Sequence, residues 1–193
     1  MQTRRKVLVP FALIALAGWA ALAIAATDVS AKRREGRYAA PGGSELVVRV
    51  PVGWKEEKRR VGADRHPAIA FKARSSAQFD VLLSPLPSRY GKSPDAQERL
   101  RKDVVAAADT LRGQMEEPLV VVNELLGLEG QGYFFSITDR APKKGEYKYM
   151  TQGLMIVGEL QLAFTILTND GQEAVVDAAL GMVRNVRVVR AAR

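Results

Sequence analysis

Residues 45–50, ELVVRV, place Leu46, Val48 and Val50 on one face of an extended chain and predict a first strand. Pro51-Val52-Gly53-Trp54 follows. Pro51 cannot donate to a ladder and Gly53 permits a sharp turn, so Trp54 is expected to fold back as a lid on the core. Residues 55–60, KEEKRR, read as a solvated loop. Residues 68–73, AIAFKA, and 78–84, QFDVLLS, are two more strands; in the second, Phe79, Val81 and Leu83 alternate with Asp80, Leu82 and Ser84. SPLPSRYGKSP, with three prolines and a glycine, is a loop.

Ser93 then opens a helix as its N-cap, with Pro94 at the first helical position and Asp95 complementing the positive end of the dipole. Ala96, Leu100, Val104, Leu111 and Met115 keep helical spacing on one face, and Glu116-Glu117-Pro118 marks the end. LVVVNELLGLEGQG brings a strand and a glycine-rich turn. Three alternating runs follow. Tyr133, Phe135 and Ile137 share one face of the first; Tyr147, Tyr149, Thr151, Gly153, Met155 and Val157 share one of the second; Leu160, Leu162, Phe164 and Ile166 share one of the third. Gly158-Glu159 is a two-residue hairpin turn with glycine first. Asp170 with Glu173 makes a capping-box-like start for a second helix, whose stripe is Val176, Ala179, Leu180 and Val183. The order βββ-α-ββββ-α predicts an α+β fold: an antiparallel sheet of about six or seven strands covered by helices.

LVVRVPVGW, the strand FDVLLS, a helix, GLEGQGYFFSITD, a long hairpin and a closing helix together resemble the PsbP-like, MOG-type α/β/α sandwich proteins. The P-x-G-W after strand one is the best single marker, and the glycine-rich entry to the aromatic strand is the second. The resemblance covers most of residues 44–186, and its motifs consist of packing residues. It implies a non-enzymatic binding or assembly module, and carries no family functional residue onto this chain. The bacterial lipoproteins of that group need a signal-peptide cysteine, which this chain lacks.

The N-terminus has a basic start, an uncharged apolar run and small residues at a cut site, Ala23-Ile24-Ala25 or Val29-Ser30-Ala31. Residues 1–25 are therefore expected to be an export signal that delivers a periplasmic or secreted protein; a retained inner-membrane anchor over residues 7–26 is the alternative. Residues 26–43 read as a flexible basic lead-in, 44–186 as one domain and 187–193 as a basic tail. In that tail Val186, Val188 and Val189 favour an extended, solvated end over a helical arginine stripe. The chain's net charge is +8, of which Arg4, Arg5 and Lys6 in the leader supply three. The remaining excess allows weak contact with an anionic membrane surface. No dense basic patch or motif points to nucleic acid.

With no cysteine and a single histidine, His66, the chain offers neither disulfides nor the common thiolate and multi-histidine metal sites. G-x-S-x-G, P-loop and H-E-x-x-H motifs are lacking, His66 reads as a surface-loop residue, and the pairs Glu56-Glu57 and Glu116-Glu117 point apart. No catalytic residue, cofactor or metal is expected. The candidate site is the charged hairpin tip, residues 139–146, with Asp139, Arg140, Lys143, Lys144, Tyr147 and Tyr149 as partner-contacting side chains. An unidentified envelope protein is the expected partner. The alternatives are a small-ligand or ion carrier with a pocket between helix and sheet, and a carboxylate-based hydrolase.

Overall fold

The computed structural model describes residues 33–61, 66–74 and 78–191. The leader, its cut sites and the His66 side chain lie outside the described residues. The strands are β1 (Arg33–Ala40), β2 (Ser44–Pro51), β3 (Trp54–Val61), β4 (His66–Ala73), β5 (Asp80–Pro87), β6 (Asn123–Leu126), β7 (Gly130–Thr138), β8 (Tyr149–Val157), β9 (Leu160–Thr168) and β10 (Arg187–Arg190). Helix α1 (Ala96–Asp109) follows β5 and helix α2 (Glu173–Arg184) follows β9. All pairings are antiparallel. They build a seven-stranded sheet, β3-β4-β5-β9-β8-β7-β6, and a three-stranded sheet, β1-β2-β10.

The alternation of β7–β9 explains the layering. Phe135 and Ile137 point to one face, where they pack with Val104 and Ala108 of α1 and with Met115. Met155, Leu162, Phe164 and Ile166 point to the other, where Ala179, Met182 and Val183 of α2 and Leu46, Val48 and Val50 of β2 meet them. The large sheet is thus sandwiched between α1 and a layer made of α2 plus the small sheet, an α+β architecture as the element order predicts. Pro51-Val52-Gly53-Trp54 is the corner where the chain leaves the small sheet for the large one. Trp54 turns inward as expected, its ring 4.8 Å from that of Phe79.

Glycines at the start of β7 let it lie close against the backbone of β8. A Cβ on Gly132 would collide with the Leu154 carbonyl and fall 2.7 Å from the Met155 Cα, one on Gly130 would collide with the Ile156 carbonyl, and one on Gly127 would collide with the Met155 methyl and fall 2.9 Å from the Arg184 carbonyl. The glycine-rich entry is therefore a close backbone approach.

Several elements depart from the sequence expectation. Residues 33–40 are not part of a flexible lead-in: all eight pair with β2. Their inward face holds Arg34, Gly36 and Tyr38, so one aromatic carries the burial and no apolar alternation is visible. Tyr38 meets Phe71 edge-on at 5.9 Å, with interplanar angle 87°. KEEKRR is not a loop but most of β3, an edge strand held by its ladder to β4 and by charge pairs such as Arg59–Asp80 at 3.3 Å. The expected tail is extended, but residues 187–190 pair with β2 instead of standing free. The Ser93 hydroxyl bonds the Asp95 carboxylate and caps no helix backbone, and α1 starts at Ala96. The same helix ends at Asp109; turns, not helix, carry Met115 into the core beside Asp139. Asp170 does not cap α2 either, because Tyr149 and Lys148 occupy its carboxylate.

Tyr38 also donates to the Glu56 carboxylate, which Arg34 reaches at 3.0 Å. That hydroxyl, followed by the Arg34 guanidinium, holds the Glu56 carboxyl below the usual carboxylate range against the effect of burial. The unfolded value is about 4.3. A folded value below it means stabilisation that is complete above that pH and lost as pH falls through the depressed value. Tyr38→Phe should therefore cost about 1 kcal/mol near neutrality, the low end for a bond to a charged group because Glu56 is part-exposed. The difference in unfolding midpoint between the two proteins should hold from about pH 5 to 7 and narrow below about pH 4 in acid titrations. A difference that widens in acid would contradict it.

Candidate functional site: a hydroxyl-floored cleft beneath helix α2

Along the α2-facing side of the large sheet, side chains change character toward one end. From Met155, Gly153 and Phe164 the ladder passes to the rung Ser136–Thr151–Ile166 and then to Thr138–Tyr149–Thr168. Helix α2 begins just beyond, after the Asn169–Gln172 turn, and does not close over these last rungs. The result is a cleft of about 370 Å³ floored by Ser136, Thr138, Thr151 and Thr168. Gln172, Glu173, Val176 and Asp177 line its helix side, with Tyr149 and Glu117 also at its walls.

Hydrogen bonds fix the floor. The Ser136 and Thr151 hydroxyls are 2.7 Å apart. The Glu117 carboxylate accepts the Thr138 backbone N–H at 2.9 and 3.0 Å and its hydroxyl at 2.7 Å. Burial works to raise the Glu117 carboxyl, but the N–H and hydroxyl of Thr138 outweigh it and hold the group below its usual range, as the anion. Gln172 ties the entrance turn, accepting the Asn169 N–H at 2.8 Å and donating to the Gln78 carbonyl at 3.0 Å.

The cleft is acidic although the chain is basic. Glu117, Glu173 and Asp177 line it, and among the described residues no lysine or arginine does. Lys148, next to Tyr149 in the chain, is engaged: its Nζ lies 2.9 Å from Asp170, which also accepts the Tyr149 hydroxyl at 2.6 Å. Asp170, then Tyr149, push the Lys148 ammonium above its usual range, while the Tyr149 hydroxyl, then Lys148, hold Asp170 below its own. Among the described residues no three histidine, aspartate or glutamate side chains converge as a metal-ion site. The cleft has hydrogen-bond acceptors, negative charge and an apolar wall at Val176, which suits a protonated organic group better than an anion.

The six residues expected at the hairpin tip do not converge. Asp139 caps its own turn, accepting the Ala141 N–H at 2.9 Å, and lies opposite Met115. Arg140 reaches back to the Met115 carbonyl at 2.9 Å. The backbone of Lys143 is fixed at both ends by Glu146, and Lys143 and Lys144 are exposed. Tyr147 is half-buried, its hydroxyl pushed up by burial and by the charge of Asp80. Only Tyr149 reaches the cleft. The floor residues were missed because each reads as an ordinary strand position. Their signal was the switch from Met155 to Thr151, from Ile166 to Thr168 and from Phe134 to Ser136 on faces otherwise apolar.

No protein-family model and no curated protein matches the sequence. Several solved structures are similar to the chain, two of them as follows. A protein from Bacteroides thetaiotaomicron is 12% identical, over 75% of this chain and 45% of its own, with a TM-score of 0.47. The cyanobacterial PsbP of Synechocystis is 14% identical, over 90% of this chain and 99% of its own, also with a TM-score of 0.47.

Proposed function

We propose that this chain is an exported module of the cell envelope that acts by binding, without chemistry of its own, and that its ligand site is the cleft beneath α2. The ligand class is a small organic molecule carrying a protonated amine. One observation carries this reading: hydroxyls of Ser136, Thr138, Thr151 and Thr168 share the cleft with the carboxylates of Glu173 and Asp177, beside the Thr138-bound Glu117, and among the described residues no basic side chain lines it. Hydroxyl and carboxylate oxygens accept the N–H donors of an ammonium group. The Tyr149 ring already carries the Lys148 ammonium, 5.1 Å from its centroid, and Val176 adds an apolar contact. The basic, apolar and small-residue order of the leader supports export.

Thermal unfolding against a panel of primary amines and size-matched carboxylic acids tests it. At a hundredfold excess over Kd a ligand adds about 2.7 kcal/mol, which raises the midpoint by about 5–10 °C for a chain of this size. Amines should do so and acids should not. A flat response to both, or an equal one, contradicts the reading.

The hairpin tip favours a second contact. Lys143 and Lys144 project from a turn locked by Glu146, so two positive charges are displayed to an anionic envelope partner at little ordering cost. Lys143→Glu with Lys144→Glu should slow capture of such a partner by at least about tenfold at low salt; an unchanged rate would remove the tip from consideration.

A further inference from the structure

β6 ends the large sheet, and its outer edge pairs with no strand among the described residues. An open edge is a template for another strand, and natural sheets usually blunt it with charge. The opposite edge is blunted in this way, by Lys55, Glu56, Glu57, Lys58 and Arg59 on β3. The β6 edge is not. Leu119, Val121, Leu126 and Leu128 are 67, 64, 63 and 67% exposed. Val52 is the one other large hydrophobic so exposed among the described residues. The approach to β6 already alternates like a strand: Val120 and Val122 pack into the α1-side cluster, while Leu119 and Val121 face solvent.

Charge is also segregated here. Residues 113–139 hold Glu116, Glu117, Glu124, Glu129 and Asp139 and no lysine or arginine, in a chain that has 29. Glu117 is spent on Thr138, and Glu129 accepts the Val188 N–H at 3.2 Å. Glu116 and Glu124 are exposed beside the apolar residues, Glu124 also accepting a hydrogen bond from the Gln131 side chain.

We infer that β6 and the segment leading into it form a docking edge for an extended protein segment in which apolar residues alternate with lysine or arginine. The free edge of β6 supplies main-chain pairing, Leu119 and Val121 supply apolar contacts on one face, and Glu124, on the face it shares with Leu126, selects a basic partner together with Glu116. Charge separates this occupant from the others. A second copy would set the acidic edge against itself, placing like charges together, and an anionic membrane would be repelled by the same two glutamates. This surface is independent of the cleft beneath α2.

A labelled ten-residue peptide alternating valine and lysine, with a valine–glutamate control, probes the edge by fluorescence anisotropy on the full chain. The lysine peptide should bind at least about tenfold more tightly than the control. Hydrogen exchange should show new protection at residues 119–126. Glu124→Lys with Leu126→Lys should weaken binding at least about tenfold while leaving the unfolding midpoint in place. If that pair fails to fold, Glu124→Gln with Leu126→Thr keeps good strand formers and should weaken binding at least about threefold. Equal binding of both peptides, affinity unchanged in the folded variants, or protection elsewhere in the chain would overturn the inference. So would a concentration-dependent dimer abolished by the same substitutions, because the occupant would then be a second copy.

Discussion

Gly153→Val should leave the chain unable to hold its native sheet. Gly153 lies on β8, between β7 and β9, opposite Phe134 on one side and Phe164 on the other. A Cβ there would fall 2.5 Å from the Phe164 ring and 2.7 Å from the Phe134 Cβ, and would collide with the Tyr133 carbonyl. The Phe164 ring is itself fully buried in the core, and the other two atoms belong to a paired strand. Overpacking a core position costs about 1–3 kcal/mol when neighbours can adjust. Gly153→Ala should sit at the top of that range, lowering the midpoint by about 6–12 °C. The two further methyls of valine should consume most of a stability of about 5–15 kcal/mol. Circular dichroism melts of the pair, read against wild type, check this; an alanine variant within 2 °C or so of wild type would contradict the close packing.

Phe71→Ala should be nearly as damaging, by the opposite route. Phe71 is fully buried on β4 and receives the edge of Tyr38 from β1, so it joins the two sheets. Removing the ring costs its transfer free energy plus that of the cavity, about 3–5 kcal/mol. The loss also undercuts the Tyr38–Glu56–Arg34 cluster, which lies over the same ring. The midpoint should fall by about 6–20 °C. Hydrogen exchange should accelerate first in β1, because that strand pairs only with β2 and depends on Tyr38 for its anchorage. Uniform acceleration across both sheets would show that they unfold as one unit with no weak joint.

The parts of this fold legible in the sequence are those whose elements bury one face. β7 alternates cleanly because its Phe135 and Ile137 pack beneath α1, β8 and β9 because their apolar set packs beneath α2, and α1 shows its stripe through Leu100 and Val104 for the same reason. β1 and β3 were illegible because their strand character comes from partners. In β1 a single tyrosine and a glycine do the inward packing, and β3 is an edge whose side chains are charged by design of the edge itself. The end of α1 was misplaced because Met115 keeps helical spacing while reaching the core through turns. The start of α2 was assigned a cap at Asp170 because no local pattern shows that Lys148 and Tyr149 compete for that carboxylate across 21 and 22 residues.

The cleft shows the same division. Tyr149 was singled out for its place beside a charged loop, yet it matters through the rung it shares with Thr138 and Thr168. Three strands and the start of a helix bring those residues together, and only register places them side by side. A pattern search along one strand finds apolar positions that end in a threonine; the sheet turns three such endings into a polar floor.

The most direct test of the cleft is to fill it. Val176 is half-buried on α2, packs against the edge of the core and lines the cavity, so Val176→Phe should occupy much of that volume. Calorimetric titration of this variant, once its cooperative unfolding shows that it is folded, with a primary amine that stabilises the wild-type protein should show affinity lowered by at least about tenfold. Wild-type affinity in the filled variant would place the amine elsewhere and contradict a ligand site beneath α2.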